Sequence, residues 1–338
     1  MGDRTMQAML MTAAGGLDVL QMRELPEPQI TAANQIKVRL RGAGVNPIDT
    51  KLRARGALVP DGLPCVLGCD GAGEVVECGA EVTNLAVGDA VWFCHGGLGR
   101  EPGNYAQYTV LPAAVARRMP ETLNALHAAA GPLVLITAWE ALFDRVHLQA
   151  GQTVLIHAGA GGVGHVAIQL AQHAGARVIT TASGADKAAF VRGLGAEQVI
   201  DHRQTDFVAA VNDWTDGAGV DVVLDCVGGE TFRRSLAVTA HYGDVVTLLD
   251  PGMEVDWKEA RNRNLRIGFE LMLTPMLREL PQARAHQGEI LDRCAGMIDA
   301  GQLHLHVSEV LPLARAAEAH ARIEQGHVQG KLVLDPWA

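Results

Sequence analysis

The sequence predicts an α/β protein of two domains, one β-rich and one built on a parallel sheet. Three observations carry that expectation. At 338 residues with 48% hydrophobic residues, the chain is long enough for about two domains and apolar enough to bury large cores. Its first third reads as short strand-like runs punctuated by turn residues. From Asn124 onward, strands alternate with helices, the mark of βαβ units.

Taken in order, Gln35–Leu40 alternates polar and apolar residues, as a half-buried strand does. Gly71–Glu77 and Ala90–Phe93 read as further strands, the second after a Gly88-Asp89 turn, and Gly103–Val110 as another. An Ala-rich helical stretch runs from Asn124 to Phe143. Thr153–His157 is a short buried strand leading through glycines into a helix, where Ala167, Leu170, Ala171 and Ala174 recur at helical spacing. Arg177–Thr181, Gln198–Ile200, Val222–Cys226 and Asp244–Leu248 continue the strands, with a helix over Lys187–Leu194. Leu265–Phe269 is expected to be the last strand of that sheet. Gln302–Val307 and Lys331–Leu334 are again strand-like. The C-terminal part is too short for a third domain and is expected to return to complete the first. The expected boundaries are 1–124 with 273–338 for the β-rich domain and 125–272 for the parallel-sheet domain.

Composition narrows function. A formal net charge of −10 argues against a nucleic-acid-coating protein or one bound to an anionic membrane. The apolar content excludes disorder as the dominant state. Six cysteines are too few for a disulfide-stapled secreted domain and read as small buried hydrophobes. No apolar signal core follows Met1–Thr5, and no apolar run approaches the roughly 18 residues of a membrane span. The expectation is a cytoplasmic protein.

The strongest local motif is Gly159-Ala160-Gly161-Gly162-Val163-Gly164, a G-x-G-x-x-G run that follows a strand and opens a helix. Small residues are required there because the backbone must approach a pyrophosphate at the helix N-terminus. Binders of the unphosphorylated dinucleotide place Asp or Glu at the end of the second strand, to hold the ribose hydroxyls. Here that end reads Thr181-Ala182-Ser183-Gly184, with Lys187 following and His202-Arg203 closing the next strand. Cations without the acid favour the 2′-phosphate of NADPH.

Taken together, these residues resemble a medium-chain dehydrogenase/reductase of the zinc-independent quinone oxidoreductase branch. Gly44-Val45-Asn46-Pro47-Ile48-Asp49-Thr50, Leu67–Gly73, Leu85–Asp89, Gly103–Tyr108, Leu135–Leu142, the glycine loop, Asp225–Gly228 and Gly330–Leu334 carry the resemblance in order and spacing over the whole chain. It implies a GroES-like β-rich catalytic domain from both chain ends with a Rossmann doubly wound domain between them. It also implies a homodimer formed through the last Rossmann strands, near Leu265–Leu271.

Zinc-dependent relatives carry Cys at the position of Asn46, Gly-His-Glu at Gly68-Cys69-Asp70 and Cys near Pro132, so one candidate ligand, Cys69, remains where a catalytic zinc wants three. No metal is therefore expected. Without a Lewis acid, the easier hydride acceptor is already electron-poor, and quinones or α,β-unsaturated carbonyls are the expected small-molecule electrophiles. The resemblance implies that Asn46 faces the nicotinamide and offers its amide to the cofactor ribose or to substrate, although it reads equally as a loop cap before Pro47, and that Thr137 contacts the nicotinamide ribose; with Lys51 these are the candidate catalytic residues. It implies that Gly159–Gly164 hold the pyrophosphate, and that Ser183, Lys187, His202 and Arg203 surround the 2′-phosphate. Cys226, Val227, Leu248, Leu249 and Phe269 would line the cofactor groove, and Lys331 is counted with the cofactor contacts. Lys51 stands where quinone oxidoreductases often have Tyr, and is either an acid or a surface charge. Asp49 reads as a helix cap. Two other readings stay open: a zinc-type alcohol dehydrogenase with an atypical metal site, and a dinucleotide-binding structural or regulatory protein with little catalysis.

Overall fold

A computed structural model describes residues 4–59 and 61–338. Along the chain run strands β1 (Thr5–Met11), β2 (Leu20–Pro26) and β3 (Gln35–Val45), helix α1 (Pro47–Arg55), then β4 (Cys65–Val66), β5 (Asp70–Cys78), β6 (Ala90–Cys94), β7 (Tyr108–Pro112) and β8 (Arg117–Arg118). Helices α2 (Ala125–Ala128) and α3 (Pro132–Trp139) lead to β9 (Thr153–Ile156), α4 (Gly162–His173), β10 (Arg177–Ala182), α5 (Ala185–Gly193), β11 (Gln198–Asp201) and α6 (Phe207–Trp214). There follow β12 (Val220–Asp225), α7 (Gly229–Ser235), β13 (Thr239–Thr247), α8 (Lys258–Asn262), β14 (Arg266–Phe269), α9 (Thr274–Leu277), α10 (Pro281–Asp299), β15 (Val307–Pro312), α11 (Ala316–Gln325) and β16 (Lys331–Asp335).

Two compact units emerge. One takes the chain up to Leu133 with Pro275–Gly301 and Leu305–Ala338; the other is Val134–Thr274 with Gln302–His304. The first holds a seven-stranded sheet in which β15, β16, β3, β5, β6 and β8 follow one another and β7 also pairs with β3. A small sheet, β2-β1-β4, completes its strands. The large sheet buries Ile36, Val38, Leu40, Val75, Val91, Phe93 and Leu111 in one cluster. The second unit holds a six-stranded parallel sheet ordered β11-β10-β9-β12-β13-β14. Counted within the unit this is 3-2-1-4-5-6, the doubly wound order, which reverses direction between β9 and β12. Leu155, Ile179, Val223, Val245 and Phe232 fill its core. β14 is the sheet's edge, as its sequence predicts, and Phe269 and Leu271 are exposed there.

Several sequence expectations change. The helix expected over Asn124–Phe143 is three pieces: α2, α3 and a π-helix over Glu140–Arg145. Asn124 Oδ1 accepts the His127 N–H at 2.9 Å and starts α2; Pro132, whose ring disfavours helical geometry in Gly131, forces a new start at α3. Gln302–Val307 is not a strand, because the sheet begins at Val307 itself. Gln169 instead takes both backbone groups of His304, at 2.8 and 3.0 Å, so that segment is tied to α4. In Gly103–Val110 only Tyr108 onward joins a strand; Gly103, Asn104 and Tyr105 donate to Val66, Gly68 and Leu67. Among the described residues, no helix is long and apolar enough to cross a membrane.

Candidate functional site

In the parallel-sheet unit, the glycine run forms the turn between β9 and α4, at the point where the strand order reverses. The turn is drawn tight by Gly159 N–H on Thr181 O (2.9 Å), Gly161 N–H on Ala158 O (2.9 Å) and Ala158 N–H on Thr181 Oγ1 (3.0 Å). A Cβ on Gly159 would lie 2.0 Å from Thr180 Oγ1, and one on Gly164 2.3 Å from Ala158 O. Only hydrogen fits at these positions. The turn presents the first N–H groups of α4, which no intrahelical acceptor satisfies, toward the carboxyl ends of the strands.

At those strand ends lies a cavity of about 280 Å³, lined by residues that include His157, Thr181, His202, Val227 and Arg234. His157 is buried against Ser235 Oγ (2.9 Å) and Thr181 Oγ1 (3.3 Å), and burial pushes its pKa down to about 4, so it is neutral. Cys226 and Val227 follow β12, held by Asp225, whose Oδ1 accepts the Val227 and Gly228 N–H groups at 2.9 Å. Burial raises the Cys226 thiol, so it is not a nucleophile. Leu248 and Leu249 follow β13, and Phe269 ends β14. Ser183 leads into α5, and Lys187 lies on it with its pKa lowered by partial desolvation and by Arg203. No carboxylate stands at the end of β10 itself, but one reaches its turn from the neighbouring strand. Asp201 reaches that turn from β11, accepting Gly184 N–H and Arg203 N–H, each at 3.1 Å. Those N–H groups hold its pKa below the usual carboxylate range. The strand register that brings it there, Ala182 opposite Asp201, is not visible in one sequence. Thr137 is buried in α3.

In the β-rich unit, adjacent strands β16, β3 and β5 bring Lys331, Asn46 and Asp70 together: Leu332 pairs with Val45, and Gly44 with Asp70. All three side chains are buried. Asn46 Nδ2 donates to Asp70 Oδ2 at 2.9 Å, while Lys331 Nζ donates to Asn46 Oδ1 and, at 2.8 Å, to Val45 O. Lys331 Nζ also lies 3.8 Å from Asp70 Oδ2. Burial raises the Asp70 carboxyl, against the pull of Lys331, and lowers the Lys331 ammonium. Asn46 caps α1, and Asp49 closes the cap by accepting its backbone N–H at 2.8 Å. Asp49 Oδ2 also accepts the Tyr105 hydroxyl at 3.0 Å, and that hydroxyl lies 3.3 Å from His320 Nε2. Cys69 and Cys94 are buried nearby, the Cys69 thiol raised by its contact with Cys94 and by burial. Lys51, by contrast, is on the exposed side of α1, its pKa lowered by partial desolvation and by Arg55. Sequence reasoning assigned no site role to Asp70, Tyr105 or His320. The first two fall inside quoted motifs; His320, on α11, carries no sequence signal.

The fold and glycine turn define a dinucleotide-binding oxidoreductase with a separate β-rich catalytic unit. Residues 32–121 match the family described as "Alcohol dehydrogenase GroES-like domain", and residues 194–334 match "Zinc-binding dehydrogenase". A quinone oxidoreductase of Pseudomonas aeruginosa is 33% identical over 96% of this chain and 98% of its own length. A 2-haloacrylate reductase of a Burkholderia species is 34% identical over 90% of this chain and 91% of its own. Among solved structures, the quinone oxidoreductase of Escherichia coli complexed with NADPH superimposes with a TM-score of 0.87 at 30% identity, covering 98% of this chain and 100% of that one. The chain belongs to the medium-chain dehydrogenase/reductase superfamily and is quinone oxidoreductase-like.

A nicotinamide dinucleotide fits the residues present, because Gly159 and Gly164 let the turn close on itself without a Cβ, leaving the first N–H groups of α4 at the strand ends for a pyrophosphate. The zinc implied by one family description does not fit. Asn46 is a neutral amide where zinc-dependent relatives carry a Cys, and the Lys331 ammonium beside it opposes a second cation. Among the described residues, no three His, Cys, Asp or Glu side chains are grouped to share a metal.

Proposed function

We propose that the protein reduces quinones or α,β-unsaturated carbonyls with NADPH, without a catalytic zinc. The observation that carries this reading is the Lys331–Asn46–Asp70 cluster, which puts a side-chain cation where a metal-dependent site would need ligands. When bound, the reduced cofactor supplies the hydride. The glycine turn and the α4 N-terminus hold the pyrophosphate, Lys187, His202 and Arg203 face the 2′-phosphate with Ser183 beside them, and Asn46 and Thr137 orient the nicotinamide ribose. Cys226, Val227, Leu248, Leu249 and Phe269 supply apolar walls. Lys331 acts through Asn46. A conjugated acceptor needs no Lewis acid, and the protein contributes position and water exclusion.

A panel of quinones, enones and alcohols, followed by oxidation of NADPH or NADH, tests this. Turnover is expected with conjugated acceptors and NADPH. Substituting both Lys187 and Arg203 by Ala is expected to lower kcat/KM for NADPH by at least about a hundredfold, as two charge-assisted contacts of about 1.5–3 kcal/mol each imply, and to leave NADH unaffected. Stoichiometric zinc required for activity, or preference for NADH, would contradict the reading.

A further inference from the structure

The preference for NADPH proposed above rests on three basic side chains, and one of them differs in kind. An ammonium and a guanidinium keep their charge across the neutral range, whereas an imidazole open to water changes charge between about pH 5 and 8. His202 directly follows β11, and its backbone N–H donates to Ala182 O at 3.3 Å, which ties it to the end of β10 beside Ser183. Its side chain is exposed and lines the cavity at the strand ends. It makes no hydrogen bond or ion pair with any other described residue.

The other charges around this cavity are already engaged. At the end of β9, His157 lines the same cavity but is neutral, because burial outweighs the pull of Asp225 on β12. Ser235 gives its hydroxyl to Thr231 O at 2.7 Å, so His157 Nε2 carries the ring proton and donates it to Ser235 Oγ. On α7, Glu230 pairs with Arg233 at 2.9 Å, and Arg234 with Asp206, the cap of α6. On β11, Asp201 is held ionised by the Arg203 and Gly184 N–H groups, with the charges of His202 and Arg203 adding to them. On α5, Lys187 lies beside Arg203. Of the two imidazoles lining the cavity, His157 is held neutral and His202 is open to water.

We propose that His202 makes the choice of coenzyme depend on pH: as imidazolium it holds the 2′-phosphate, and as neutral imidazole it leaves that phosphate to Lys187 and Arg203. The inference rests on the NADPH reading. The charge-assisted contact exists only with the protonated ring, so its contribution is full in mild acid and is lost as pH rises. By linkage, binding the phosphate draws a proton onto the ring. The phosphate itself titrates in the opposite sense. Its second ionisation lies near about pH 6, so its charge grows as pH rises. The wild type alone mixes the two titrations, and the difference between wild type and His202→Gln isolates the imidazole. NADH, which lacks the phosphate, responds to neither.

Coenzyme fluorescence titrations at about pH 6 and about pH 8, at fixed ionic strength, read this without turnover. His202→Gln is expected to weaken NADPH binding about tenfold at the lower pH and less than about twofold at the higher, with NADH unchanged at both. His202→Lys, which keeps a cation at both values, is expected to bind NADPH like the wild type at the lower pH and more tightly than it at the higher. Calorimetry in buffers of different ionisation enthalpy is expected to show the wild type taking up more protons than His202→Gln when NADPH binds, and no such difference with NADH. Circular dichroism reports that both variants, altered at an exposed turn, keep the fold. A loss in His202→Gln that is equal at the two pH values, that is absent at both, or that extends equally to NADH overturns the proposal. A wild type that binds NADH as tightly as NADPH at both values overturns the NADPH reading, and this inference with it.

Discussion

Gly164→Ala is expected to cost about 1–3 kcal/mol of stability and to weaken dinucleotide binding at least about a hundredfold. The added Cβ would sit 2.3 Å from Ala158 O, 2.7 Å from Gly159 Cα and 2.9 Å from the Gly159 carbonyl carbon. All three are backbone atoms, so relief requires opening the turn that aims the α4 N–H groups. A contrasting substitution separates this steric effect from glycine's entropy. Gly193→Ala ends α5, where a Cβ meets nothing within 4 Å. It is expected to be neutral or stabilising by up to about 1 kcal/mol and to leave cofactor affinity intact. Urea unfolding and cofactor titration of the two variants provide the check; equal behaviour would contradict the turn's assigned role.

The second large effect is on the pH dependence of stability. Asp49 is raised to about 7 by burial, from an ordinary 3.8, so the folded state keeps a proton that the unfolded chain releases. Its stabilising contribution is full below about 4 and is lost as pH rises to about 7, a change of about 4 kcal/mol. His157 and His320 act oppositely. Burial pushes them down to about 4 and about 3, so the unfolded chain takes up their protons as pH falls below 6.5 and the folded state does not. Between about pH 4.5 and 6 the unfolded state holds about two of these protons and the folded state about one. These three groups should then together contribute a rise of stability with pH of about 1.4 kcal/mol per unit. Asp49→Asn removes the opposing proton and should steepen the rise by about a further 1.4 kcal/mol per unit. Urea titrations at half-unit pH steps measure both slopes, and parallel slopes would show that Asp49 is ionised throughout this range.

How much of this was legible depends on how locally each feature is encoded. The βαβ alternation and the glycine turn are local: hydrophobic runs, spacing and small residues in a single stretch specify them, and the structure places them as expected. The second sheet's register is not local. Asp201 reaches the β10–α5 turn because Ala182 pairs with Asp201, a neighbour distant in sequence. The buried cluster is less local still. Lys331 meets Asn46 only because β16 pairs with β3, and His320 meets Tyr105 across the same unit. The N-terminal hairpin β1–β2 went unread because Met6–Met11 is not framed by strong turn residues and Leu20–Pro26 is mostly half-exposed. The break between α2 and α3 was signalled by Gly131-Pro132, but the alanine-rich composition around it reads as continuous helix.

The sheet of the β-rich unit draws strands from both halves of the chain. β3 pairs through Ala43–Val45 with β16, which begins at Lys331. A ribosome therefore makes the whole parallel sheet between Thr153 and Phe269 before that neighbour emerges. Protease pulses on stalled nascent chains should find the parallel sheet protected first, and simultaneous protection of the two would contradict that order. Until β16 leaves the exit tunnel, Asn46 waits without its ammonium partner, so the nucleotide-binding half is expected to become native first during translation.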